Sequence, residues 1–79
     1  RDIYIDIQKE MPQYSWLAEA EYLRGVLYIL REIKQCKQRQ KYRRLEKRLR
    51  HFLRRMVFRV MLNCVLSYNE KKELIKNAI

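Results

Sequence analysis

The chain has 79 residues with one glycine and one proline, and its 19 Lys or Arg against nine Asp or Glu give a formal charge of +10. That length bounds it to one domain, which buries too small a fraction of its surface to be robust unless its helices pack closely or it oligomerises; few turn formers and abundant Leu, Arg, Lys, Glu and Gln favour helix. One histidine, His51, two isolated serines, Ser15 and Ser67, and no glycine-rich phosphate loop exclude an assembled catalytic constellation, so a non-enzymatic protein is expected.

Taken in chain order, Ile3, Ile5 and Ile7 alternate like a strand, while Ile3, Ile7 and Met11 also fit one side of a short helix begun by Asp2. Helix is preferred, because a lone strand has no partner here. Pro12 ends that element, and Ser15 offers an N-cap for a first principal helix from Trp16 to Cys36. Glu19 and Glu21 early and Arg31 and Lys34 late follow the order that the helix dipole favours. Its expected buried face is Tyr22, Leu23, Val26, Leu27, Ile29, Leu30 and Ile33, with Trp16 and Ala20 at the edge and Glu21, Arg24, Arg31, Glu32 and Gln35 facing water. Gly25 costs about 1 kcal/mol relative to Ala inside this helix and is compatible with close approach of another helix.

From Lys41 a second apolar stripe runs through Tyr42, Leu45, Leu49, Phe52, Leu53, Met56, Val57, Val60, Met61, Cys64 and Tyr68, which predicts one Arg-rich helix of some seven turns over about 41–66. The 27 steps from Val26 to Leu53 turn the stripe by about 180° at 100° per residue, so a single straight rod would point its two apolar halves in opposite directions. A turn within Gln35–Gln40 solves this by folding a hairpin, although no Gly, Pro, Asn, Asp or Ser marks it. Ser67 and Glu70 then form a capping box for a short last helix carrying Leu74, Ile75, Ala78 and Ile79. The expected fold is all-α, a small antiparallel hairpin or bundle with two principal helices and short terminal ones. Residues 1–79 are read as a single helical module and, beginning without an initiator Met, as a piece of a longer protein.

No stretch offers the 18 to 20 apolar residues of a membrane span, and Asp2, Asp6 and Glu10 break any signal-peptide core, so an intracellular setting, nuclear or cytoplasmic, is expected. Cys36 and Cys64 cannot form a four-ligand zinc site and His51 has no finger spacing to them; they are expected as buried or half-buried thiols, with no metal and no cofactor.

The charge is concentrated. Between Lys34 and Arg59 stand twelve Lys or Arg against one acid, Glu46, a formal +11 in 26 residues, and eight of the twelve are arginine. Such a segment is the footprint of a polyanion partner, and the guanidinium fork suits phosphate oxygens. A merely solvated helix mixes signs three and four residues apart, whereas Arg43, Arg44, Lys47, Arg48, Arg50 and Arg54 repel one another. These, with His51 and Arg55, are the candidate nucleic-acid-binding residues. Aromatics are too sparse among them for base stacking, which favours duplex RNA or DNA bound through its backbone.

Phe58, Leu62 and Leu66 recur every four residues opposite the core stripe and are the candidate contacts with a second copy or another partner. The alternative function is a protein-interaction domain in which the basic helix or this outer stripe docks an acidic or helical partner. A basic helix lying on anionic lipid is a further alternative, but both wide apolar stripes are needed for the core.

Overall fold

The computed structural model describes residues 3–79, with Tyr4 and Gln8 described by backbone alone. The helices are α1 (Ile3–Glu10), α2 (Ser15–Gln35), α3 (Arg43–Arg55), α4 (Val57–Leu62) and α5 (Tyr68–Ala78), and single 3₁₀ turns cover Pro12–Tyr14 and Arg39–Tyr42. The all-α expectation holds, and so does the helical reading of the first segment; Asp2, its expected start, lies outside the described residues. No described helix is long and apolar enough to cross a membrane.

α2 is the spine, with Ala20, Leu23, Leu27 and Leu30 at most 2 % exposed along one side. Against them pack Leu53 of α3, Val60 of α4, Leu66 of the following turn, and Leu74 and Ala78 of α5. Each fully buried Leu or Val contributes about 1.5–3 kcal/mol of transfer free energy. Tyr22 and Ile29, expected in the core, are 50 % and 41 % exposed, because they sit at the edge of the stripe where α3 covers only part of it; Tyr22 meets the Phe52 ring edge-on at 5.5 Å.

The hairpin turn falls where the rotation of the stripe requires it. Cys36 leaves the helix in an extended conformation (φ −74°, ψ 135°), and the chain re-enters helix through Arg39–Tyr42 with no residue at positive φ. Ordinary αR and β conformations suffice, so the turn needs none of the residues that announce one.

The hairpin is nevertheless not the whole bundle. α5 runs parallel to α2, as the ordered pairs from Arg24–Glu70 to Lys34–Asn77 require, and is the most extensive partner of α3, so α2, α3 and α5 form an up-down-up three-helix bundle with α1 folded back on the first half of α2. Polar contacts fix α5: Arg24 Nε donates to Glu70 Oε2 at 2.6 Å, Arg31 forks onto the Glu73 carboxylate, and Lys34 Nζ donates to Asn77 Oδ1 at 2.7 Å. Arg24 and Arg31, expected to face water, thus bridge helices. The Ser67–Glu70 capping box is present in both directions. Ser15, by contrast, is a buried first residue of α2, the N-cap position being Tyr14 with no side-chain cap.

The second principal helix is interrupted. At Met56 (φ −101°, ψ 4°) the backbone N–H is shared between the Phe52 and Leu53 carbonyls, and α4 resumes for six residues only. It ends at Leu62 because Asn63, wholly buried, turns its side-chain oxygen onto the backbone N–H groups of Val65 (2.9 Å) and Leu66 (3.3 Å) while its Nδ2 donates to the Trp16 carbonyl (2.9 Å). An asparagine side chain that captures the next amides is a helix stop. Beside it Glu19, 1 % exposed, receives Arg59 Nε at 2.9 Å, and the Arg59 guanidinium lies 4.7 Å from the Trp16 ring centroid. The start of α2 and the end of α4 are thereby clamped.

Three outcomes follow from these contacts. Gly25 is exposed and a Cβ there meets nothing within 4 Å, so among the described residues no other helix approaches it closely; Gly25→Ala should stabilise by about 1 kcal/mol and raise the thermal midpoint by about 4–8 °C. Asn63→Ala leaves the amides of Val65 and Leu66 without their acceptor and removes the tie to the Trp16 carbonyl, and should cost about 3 kcal/mol in urea unfolding. Hydrogen bonds, first from Arg24 and then from the Ser67 backbone N–H, hold the Glu70 carboxyl at about 2 against an ordinary 4.5, and Arg31 lowers Glu73. Because the folded-state values are depressed, this stability is complete above the ordinary carboxylate range and is lost as pH falls from about 4.5 toward 2. Glu70→Gln, which keeps the cap but not the charge, should make the acid limb of a midpoint-versus-pH curve shallower.

Candidate nucleic-acid interface

Helix α3 takes its orientation from Leu53, 1 % exposed, and from half-buried Leu49 and Phe52, which hold one side against α2 and α5. The opposite side then carries Arg44, Arg48, His51 and Arg55 at i, i+4, i+7 and i+11, all exposed, with Arg43 and Lys47 beside them, also exposed. At 1.5 Å rise per residue the line from Arg44 to Arg55 is about 16 Å long. One strand of a duplex places a phosphate about every 3.4 Å along the axis, so that line matches about five phosphates.

The acid in this segment does not neutralise the line. Glu46 is 8 % exposed and turned toward the turn region, where Arg39 Nη2 donates to it at 2.9 Å and Arg50 Nη2 lies at 3.5 Å. The hydrogen bond from Arg39 holds the Glu46 carboxyl below its ordinary range despite burial, so it stays ionised as an internal counter-ion. On the outer side Arg43 and Lys47, Arg44 and Lys47, and Arg44 and Arg48 are three or four residues apart, each like-charge pair costing a few tenths of a kcal/mol. Arg43 and Arg44 also occupy the first turn, where the helix dipole disfavours cations.

Two of the eight sequence-derived candidates serve the fold. Arg50 is half-buried against Glu46, and its Nε is buried without a hydrogen-bond partner. Arg54 Nε donates at 2.8 Å to the carbonyl of Ala78, one of the orphan acceptors at the end of α5. Spacing alone shows neither contact, since the positions of Glu46 and of the α5 terminus depend on tertiary structure. The remaining six lie together. His51 is the aromatic in the arginine line, Phe52 being turned to Tyr22, so no base-stacking platform is assembled.

The outer apolar stripe is also revised. Phe58 and Leu62 are 78 % and 67 % exposed, but Leu66 is 5 % exposed and belongs to the core. The stop at Asn63 ends the four-residue spacing after Leu62 and swings Leu66 inward. Cys64 is exposed rather than buried and Cys36 half-buried, both as free thiols, and no group of His, Cys, Asp and Glu among the described residues could hold a metal ion.

Sequence reasoning passed over Asn63, Glu19 and Arg59, the clamp at the end of α4. The sequence signal was an asparagine closing an apolar run, a helix-stop residue type. No protein-family model, curated protein or solved structure matches this chain.

Proposed function

We propose that this protein binds the backbone of duplex nucleic acid, RNA or DNA, through the outer side of α3. The observation that carries the reading is that Arg43, Arg44, Lys47, Arg48 and Arg55 are all exposed along one helix whose sole acid, Glu46, is buried and paired with Arg39 at the edge of that surface, beside Arg43 and Lys47. Intramolecular demands on the basic segment are met by Arg39, Arg50, Arg54 and Arg59, which leaves these five cations for an external anion. An anion over α3 relieves both the like-charge repulsion and the unfavourable first-turn arginines. Each guanidinium forks onto phosphate oxygens and releases condensed counter-ions, so affinity falls steeply with salt. The contacts are to backbone and carry little sequence information.

The test is fluorescence anisotropy with matched duplex RNA, duplex DNA and single strands over a salt series. With five phosphate contacts the slope of log K against log salt should be about −4.5 on duplex DNA. Changing Arg44, Arg48 and Arg55 together to Gln should reduce its magnitude by about 2.7 while helicity and thermal midpoint stay near wild type. Arg54→Gln should instead lower stability. An unchanged slope in the triple variant would remove α3 from the interface, and the RNA and DNA arms separate the two duplexes.

A further inference from the structure

A second surface lies away from the arginine line, between α4 and α5. We infer that it is a docking groove for an acidic amphipathic helix of a partner protein. The groove has a volume of about 640 Å³, and its apolar lining is Met61, Tyr68, Ile75 and Ile79. Met61, Tyr68 and Ile79 are 54 %, 76 % and 86 % exposed, and Phe58 and Leu62 are further exposed apolar residues of α4.

Its charged lining is Lys71, Lys72 and Lys76, with no acid among them. The absence follows from the fold. Glu70 and Glu73 share α5 with these lysines but are drawn to the α2 side by Arg24 and Arg31, which leaves the groove side of the helix to the lysines. Lys71 Nζ donates to the Met61 carbonyl at 3.0 Å, and Lys72 and Lys76 stand exposed along the rim.

The chain also exposes more surface than its mass requires. A folded monomer of this mass is expected to expose about 5,200 Å², whereas this chain exposes 6278 Å² in a body only 17 Å thick. The excess, about 1,000 Å², belongs to the whole elongated surface, and the exposed Met61, Tyr68 and Ile79 of this groove contribute to it.

Charge and shape select the occupant. A second copy in a two-fold interface would set Lys72 and Lys76 against themselves and bring two chains of +10 together, which is unfavourable. A bilayer is flat and cannot line a concave groove, whereas a helix is a rod whose apolar residues at i, i+3, i+4 and i+7 fill such a groove. Carboxylates flanking those anchors meet the lysine rim. This site is independent of the nucleic-acid reading, which uses a different helix.

The probe is a display library of helical peptides of about 18 residues, with Leu, Met, Phe or Ala at the anchor positions and Asp, Glu, Lys or Arg at the flanks, panned on the folded chain. Enrichment of acidic flanks beside apolar anchors is expected. The enriched peptides should bind the variant with Arg44, Arg48 and Arg55 changed to Gln as they bind wild type, and should lose about tenfold or more in affinity for Lys72→Glu/Lys76→Glu and for Ile79→Ser, a position too exposed to disturb the core. Four results would each overturn the proposal: no enrichment, selected peptides whose binding depends on the α3 arginines instead, saturable binding to phosphatidylserine vesicles that requires Phe58 in place of peptide binding, or a dimer in light scattering that Phe58→Glu dissolves.

Discussion

The buried polar clamp at the start of α2 is the constraint on which the rest of the structure depends. Asn63, wholly buried, joins the Trp16 carbonyl to the amides of the next turn, and beside it Glu19 is held by Arg59 across the bundle. An interior polar group is tolerated only when it is bonded, so this cluster has very few alternative arrangements. Its position ends α4 after six residues, turns Leu66 into the core, and delivers Ser67 where it caps α5. Without that stop the basic helix would run on past Leu62, and α5 could not reach the gap beside α2 and α3.

Distribution of charge follows from the same packing. Nine acids cannot neutralise nineteen cations, and the fold spends several of them on helix-to-helix contacts: Glu70 and Glu73 on α2, Glu19 on α4, Glu46 on the turn before α3. Each such pair stabilises the arrangement only modestly where it meets solvent. Its larger effect is on the surface left over. With the acids drawn inward or toward α2, the outer side of α3 and the far side of α5 are left basic, the first as an arginine line and the second as a lysine rim around apolar residues. Those two surfaces have different chemistry, a hydrophilic track suited to phosphates and an amphipathic groove suited to a helix.

Much was legible in the residues because it depends on local physics. The helical reading, the capping box at Ser67 and Glu70, and the turn in Gln35–Gln40 rest on periodicity, cap chemistry and the rotation of an apolar stripe, which neighbours within one or two turns decide. The exposure of Arg44, Arg48 and Arg55 was legible for the same reason, being the geometry of one helix. Arg50 and Arg54 were not, because whether an arginine meets solvent or a carbonyl depends on where the end of another helix lies. Leu66 was misplaced by one assumption, that the spacing of four continued past Asn63.

What the sequence by itself determined is the all-α class, the approximate extent of α2, the starts of α3 and α5, and a segment whose charge has no counterpart within the chain. Tertiary structure alone decided that α5 runs parallel to α2 and packs along α3, that the second principal helix breaks at Met56 and stops at Asn63, and which cations are consumed internally. The division has a physical reason. Periodicity and capping are set by interactions along one helix, whereas the partner of a buried Glu19 or a terminal Ala78 carbonyl is some 24 to 40 residues away in sequence and is chosen by packing.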